Sequence, residues 1–250
     1  MFKNLKEDIQ AFMDRDPAAH SPLEVFLCYP GYHAIVIYRL SHWLWGMNAR
    51  ILARFISHVA KILTGIEIHP AATVGRRLVI DHGTGLVVGE TSIIGDDVTL
   101  YHDVTLGGIA PSIDSGSQVG QKRHPTIENG AVVGSGAAVL GPIVIGEGAK
   151  IGANAVVTKS VAGGMTAVGI PARVVMPKNK DKSKEFVAYG TLIDEIDPVV
   201  QAMEDMRREM RAMANRIKEL EAQPEKKATS KPDSTGKKTA TRKTKPRKAG

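Results

Sequence analysis

Apolar residues recur along this chain with three different spacings, and each spacing predicts a different element. From Met1 to about Gly65 the recurrence is helical, seen best in Ile51, Leu52, Phe55, Ile56, Val59, Ile62 and Leu63. Ser21-Pro22 followed by Glu24 is a helix-start signal, and Gly65 stands where a helix C-cap belongs. Further on, Ile127, Val133, Val139, Ile145, Ile151 and Val157 are β-branched residues at an unbroken period of six. An earlier run, Ile68, Val74, Ile80 and Leu86, has the same period, shifts by two residues, and resumes as Val88, Ile94, Leu100 and Leu106. Neither an α-helix nor a hairpin meander repeats every six residues. A solenoid of short strands and tight turns does, each repeat placing one apolar side chain inside and a small residue at the corner. The third spacing is an a/d alternation through Val199, Met203, Met206, Met210, Met213, Ile217 and Leu220, behind the helix-start pair Asp197-Pro198. It predicts a helix that either lies on its own solenoid or forms a short coiled coil.

These patterns give an α+β chain: a helical region over 1–65, a parallel β-helix over 66–176, a linker over 177–196, a helix or coiled coil over 197–221, and a tail over 222–250. Between Gly107 and Pro125 a Gly-, Ser- and Gln-rich loop interrupts the repeat. Charge sharpens the division. The 250 residues carry a formal net charge of +7. Gln223–Gly250 alone carries +8, from eight Lys with Arg242 and Arg247 against Glu225 and Asp233, which leaves the body at −1. That tail has no aromatic or branched aliphatic residue, so it is expected to be disordered, and without interleaved aromatics no nucleic-acid role is expected of it. No uncharged apolar run is long enough to cross a membrane, since Arg39 and His42 break the most apolar stretch, Tyr32–Trp45. With Cys28 as the single cysteine, no internal disulfide can form, and a reducing cytoplasm is the expected compartment.

The polar groups worth weighing sit at repeat corners: Glu67, His69, Asp81-His82, His102 and Arg123-His124. In a three-sided solenoid with about 18 residues per coil, corners stack, so residues distant in sequence become neighbours. Ile66-Glu-Ile-His-Pro-Ala-Ala-Thr-Val-Gly75, Ile80-Asp-His-Gly-Thr-Gly85, Val88-Gly-Glu-Thr91, Thr105-Leu-Gly-Gly108 and Arg123-His-Pro125 together resemble the serine acetyltransferase family. Asp14-Arg-Asp-Pro17 and the stretch from Tyr32-His-Ala34 to Ser41-His-Trp-Leu-Trp45 are similar to that family's last N-terminal helices, so the resemblance covers about residues 12 to 176. Val168-Gly-Ile-Pro-Ala-Arg-Val174, expected as a final coil, is shared with many hexapeptide-repeat acyltransferases.

The resemblance implies a left-handed parallel β-helix and a homotrimer with active sites between subunits. A dimer of trimers is left open, because longer members carry an additional N-terminal helical region that this chain is expected to lack. It implies transfer of acetyl from acetyl-CoA, as co-substrate, to the hydroxyl of L-serine for cysteine synthesis, with no permanently bound cofactor. Carried over residue by residue, His82 is the general base and Glu67, where many members have Asp, orients it. Asp16 and Asp81 take the serine ammonium, Arg123 and His124 its carboxylate, and backbone at Gly108 and Ser135 lines the CoA arm. Members that dock onto O-acetylserine sulfhydrylase end in isoleucine; this chain ends in Ala249-Gly250, so that complex is not expected.

Chemistry supports these roles independently. A serine hydroxyl needs an adjacent base at neutral pH, and imidazole has the best-matched pKa. A zwitterion needs an anionic and a cationic clamp, and a planar guanidinium suits a carboxylate. No cysteine lies in the solenoid, which favours direct transfer over a thiol-linked acyl-enzyme. Three rivals remain. Another O-acyltransferase of this fold could act on a sugar or a homoserine-like acceptor. A zinc enzyme of the γ-carbonic-anhydrase type would need a histidine pair spaced by five that is absent, so no metal is expected. A bare scaffold would have no use for Asp81-His82. The loop Ile109–Lys122, at 14 residues, is longer than the family pattern leads one to expect.

Overall fold

The computed structural model describes residues 2–109, 116, 119–175 and 198–221. The expected linker, the tail and most of the long loop lie outside the described residues. Four helices precede the solenoid: α1 (Phe2–Arg15), α2 (Pro22–Cys28), α3 (Pro30–Gly46) and α4 (Arg50–Thr64). The sequence signals act as expected. Ser21 caps α2, its hydroxyl accepting the Glu24 N–H at 3.2 Å, while the Glu24 carboxylate accepts the His20 N–H at 3.0 Å. Gly65 ends α4 in the left-handed region, φ 73°, with its N–H on the Lys61 carbonyl.

The solenoid that follows is a left-handed parallel β-helix with three faces. The first face stacks β1 (Glu67–Ile68), β4 (Val87–Val88), β7 (Thr105–Gly107), β10 (Ala138–Leu140) and β13 (Val156–Val157). The second stacks β2 (Thr73–Val74), β5 (Ile93–Ile94), β8 (Thr126–Ile127) and β11 (Val144–Ile145). The third stacks β3 (Val79–Ile80), β6 (Thr99–Leu100), β9 (Val132–Val133), β12 (Lys150–Ile151), β14 (Thr166–Val168) and β15 (Arg173–Val175). Within each face the period-six residues align in register, as in Ile68, Val88, Leu106, Val139 and Val157 on the first.

Two details differ from the sequence expectation. Leu86 does not continue the row of Ile80. It belongs to a second inward row, Ile66, Leu86, Val104, Ala137 and Ala155, all 0–1% exposed. Each first-face turn therefore buries two side chains rather than one, and the widened corner Asp81–Gly85 produces the two-residue shift. The segment expected as a final coil is instead a hairpin, because β15 pairs antiparallel to β14.

The start of the third face is covered by α1 and α3, so its outward residues Val79 and, beneath Arg15, Thr99 are only 2% and 4% exposed. The approach is close: a Cβ on Gly31 of α3 would lie 2.0 Å from the Ile80 carbonyl oxygen, which excludes any other residue there. Asp8 on α1 is fully buried and takes both Nε and Nη2 of Arg39 on α3 at 2.9 Å. Removing either partner of such a pair costs about 3–5 kcal/mol. Beside it, Arg77 bonds Asp14 and Asp97, and the Arg15 guanidinium bonds the Arg77 carbonyl and the Asp97 and Val98 carbonyls. Together these fix the C-terminal end of α1, and hence Asp16, against the solenoid.

α5 (Pro198–Glu221) falls in a separate compact unit and is a helix, as its spacing predicts. Among its described side chains the seam residues Met203, Met206, Met210, Met213 and Ile217 are exposed in the single chain. Among the described residues no helix is long and apolar enough to cross a membrane.

Candidate active site

The chemistry-bearing residues gather at the two corners that flank the first face. At the corner leading into this face, most coils place Asp, Asn or Gly in the left-handed region at the third turn position: Asp103 (φ 56°), Gly136 (φ 69°) and Asn154 (φ 57°). The uppermost coil departs from this. Its corner is Asp81–Gly85, and His82 itself sits at φ 58°, followed by Gly83 at 74° and Gly85 at 81°. A histidine there is conformationally costly, a type of outlier that clusters at functional sites. The turn thrusts the ring outward, 79% exposed, with Nε2 3.8 Å from an Asp81 carboxylate oxygen. The His102 ring of the next coil lies 6.1 Å away, centroid to centroid, and its Nδ1 is buried without a hydrogen bond.

Asp16 arrives at this corner from the end of α1. It accepts the Tyr29 hydroxyl at 2.9 Å and the Ala18 N–H at 2.8 Å. Burial raises the Asp81 carboxyl above the usual carboxylate range, and the nearby Asp16 charge adds to the shift, while His82 opposes it. Tyr29 is pushed up to about 12 by burial and by its bond to Asp16, so it remains a donor at any physiological pH. Lower on the same corner Ser135 accepts the Asn154 N–H through its carbonyl at 2.8 Å.

The second corner, where the chain leaves the first face, holds His69, Glu90, Thr91, Gly108, Arg123 and His124. His124 is 7% exposed. Its ring lies on the backbone of Gly89, where a Cβ would stand 2.0 Å from ring Cδ2, and its Nε2 would be 3.7 Å from a Cβ on Gly108. Burial, then the Arg123 charge, hold its pKa below the ordinary imidazole value. The Arg123 guanidinium is 3.4 Å from Glu90. His69 packs edge-on to Trp45 and accepts the Ala71 N–H at Nδ1; burial and Arg54 lower it to about 4.

Glu67 begins β1 on the face between the corners. Its carboxylate is taken by Lys61 of α4 at 2.5 Å, and the carboxylate beside His82 is Asp81 instead. Arg54, Ser57, His58, Lys61 and Glu67 line a small cavity of about 80 Å³.

The expected site residues thus form two groups rather than one. Asp16, Asp81, His82 and Ser135 occupy the first corner, and Gly108, Arg123 and His124 the second. At ~3.3 Å per extended residue, Leu86–Gly89 alone separates them by roughly 10 Å. The ammonium and carboxylate of one amino acid share a single carbon, a span far shorter than this backbone separation. Sequence reasoning missed Tyr29, Thr91 and Lys61, and left His102 without a role; none belongs to a pattern that spacing reveals.

Two family models match the chain: "Serine acetyltransferase, N-terminal" over residues 1–36 and "Bacterial transferase hexapeptide (six repeats)" over residues 124–159. The serine acetyltransferase of Mycobacterium tuberculosis is 52% identical over 70% of this chain and 73% of its own length. That of Bacillus pumilus is 46% identical over 90% of this chain and 98% of its own. Among solved structures, the serine acetyltransferase of Brucella abortus in complex with coenzyme A is 41% identical and superposes with a TM-score of 0.66, covering 70% of this chain and 67% of that one.

Proposed function

The chain belongs to the serine acetyltransferase family, and we propose that its active site forms where the first corner of one copy meets the second corner of a neighbour in a homotrimer. The enzyme transfers acetyl from acetyl-CoA to the hydroxyl of L-serine, giving O-acetyl-L-serine for cysteine biosynthesis. The observation that carries the intersubunit reading is the division of the zwitterion clamp between two corners of one chain.

Each group then has a stated task. Asp16 and Asp81 face the serine ammonium, and Arg123 with His124 binds its carboxylate. The His82 imidazole removes the hydroxyl proton as the serine oxygen attacks the thioester carbonyl carbon. As the tetrahedral species collapses, the carbon–sulfur bond breaks and the imidazolium proton passes to the departing CoA thiolate. No acyl group is parked on the protein. Glu67 is the proposed orienter of His82; Lys61 takes one of its carboxylate oxygens, Oε2, which leaves Oε1 for the imidazole. Backbone at Gly108 and Ser135 lines the CoA arm, with acetyl-CoA a co-substrate and no resident cofactor. The exposed, single Cys28 suits a reducing cytoplasm.

Mixing separately inactivated chains tests the assembly. Trimers containing both His82→Ala and Arg123→Ala chains should regain activity above either parent, because some interfaces pair two intact corners. Mixed trimers no more active than the better parent would place the whole site within one chain. A thiol-release assay across L-serine, L-homoserine and sugars tests the acceptor, with L-serine the substrate expected to turn over.

A further inference from the structure

Thr91 follows β4 at the second corner, one residue beyond Glu90, and its hydroxyl, N–H and carbonyl are all engaged there. Its hydroxyl oxygen accepts the backbone N–H of Arg123 at 3.0 Å and of His124 at 3.1 Å. A hydroxyl has two acceptor lone pairs and one proton. With both lone pairs taken, the proton points to its remaining partner, His124 Nδ1, at 2.8 Å. The Thr91 backbone N–H reaches the same nitrogen at 3.1 Å. From the other side, the Thr91 carbonyl accepts Lys122 Nζ at 2.6 Å. Three consecutive residues at the end of the inserted loop are therefore tied to one threonine on the coil above.

We propose that Thr91 is the positioning residue of the carboxylate clamp, fixing His124 in the neutral Nε2–H tautomer so that this N–H is a ready donor to the substrate carboxylate. The assignment of the ligand rests on the reading of the second corner given above. Two donors aimed at Nδ1 leave that nitrogen unprotonated, so the ring proton lies on Nε2. Nε2 lies against Gly89 and toward Gly108, and a Cβ on Gly89 would stand 2.2 Å from it, so any side chain at that position would block this edge. Among the groups facing the ring, Arg123 and Lys122 disfavour a positive charge, Glu90 favours one, and His69 is itself held neutral. Burial adds to the first two, so the clamp presents one fixed cation, Arg123, and one fixed neutral donor. Because the donor's charge does not change near neutral pH, serine affinity is separated from proton movements at His82.

The test is a pair of variants that share shape but differ in the hydroxyl. Thr91→Val keeps the branched side chain and strands two backbone N–H groups; it should raise the serine KM about tenfold, with the acetyl-CoA KM little changed. Thr91→Ser retains the hydroxyl and should restore serine binding. Nitrogen-15 spectra of the His124 ring, read across pH, supply a measurement independent of turnover. The parent should show an unprotonated Nδ1 and a ring that titrates below free imidazole; Thr91→Val, left with the backbone N–H as the single donor to Nδ1, should show a detectable fraction of the Nδ1–H tautomer. A Thr91→Val ring still purely Nε2–H with an unchanged serine KM overturns the proposal. So does a Thr91→Ser variant as impaired as Thr91→Val, since the hydroxyl would then not be the cause. If Arg123→Ala leaves the serine KM unchanged, the carboxylate reading fails and takes the ligand assignment with it, while the ring spectrum alone still decides the tautomer.

Discussion

The two corners flanking the first face carry histidines in opposite surroundings. His82 stands on a left-handed turn, its ring 79% exposed and Nε2 3.8 Å from an Asp81 carboxylate oxygen. His124 is 7% exposed, laid against glycine backbone and held at one nitrogen by two donors from Thr91. A proton-transfer group needs access to both of its partners and freedom to change charge. A binding group is most useful when its orientation and charge are settled before substrate arrives, because ordering it later costs affinity. On the proposed reading, the first task falls to the left-handed turn and the second to the packed corner.

The strongest challenge to this contrast is removal of the exposed ring. His82→Ala should lower kcat by about 10²–10⁴-fold while the chain stays folded, the range a general base contributes. Turnover within a few-fold of the parent would strip His82 of its role. At the other corner, Arg123→Ala should raise the serine KM by roughly tenfold to a hundredfold, the value of a charged hydrogen bond, and leave the acetyl-CoA KM nearly unchanged. Equal effects on both substrates would move the second corner to the CoA side.

A smaller effect should follow at Tyr29, whose hydroxyl holds Asp16 at the first corner. Tyr29→Phe is expected to raise the serine KM about fivefold by freeing that carboxylate, since a single hydrogen bond is worth ~1 kcal/mol. An unchanged KM would mean that the Ala18 N–H alone suffices. A last effect is on stability rather than activity. His69 is lowered to about 4 from an ordinary 6.5, so between these values the unfolded chain binds a proton that the folded chain refuses. Stability should therefore fall as pH drops from 6.5 toward 4, and His69→Asn should flatten that part of a denaturant-midpoint profile. A parallel slope in the variant would assign the acid sensitivity elsewhere.

The period-six row, the Ser21 cap and the Gly65 cap were all legible in the sequence, because each depends on neighbours within one turn or one repeat. The same holds for the candidate chemistry: Asp81-His82 and Arg123-His124 are local pairs that mark themselves. What spacing could not supply is which corner stacks on which. The strand registers set Leu106 beside Val88 and, beyond the inserted loop, Ile127 beside Ile94, and those pairings, not proximity in sequence, put Gly108 and the Arg123-His124 pair on one corner and His82 on the other. Glu67 illustrates the limit most directly. The family resemblance pairs it with His82, and the structure adds what no spacing could, a Lys61 ammonium from α4 on its carboxylate. Thr91 and Tyr29 stayed hidden for the same reason, since a hydroxyl gains a role only from the groups that folding brings within 3 Å of it. The sequence by itself determined the solenoid and the residue types available for catalysis, because those follow from short-range periodicity. The tertiary structure alone decided how they divide between two corners, because the stacking of coils and the packing of helices set distances that no local pattern encodes.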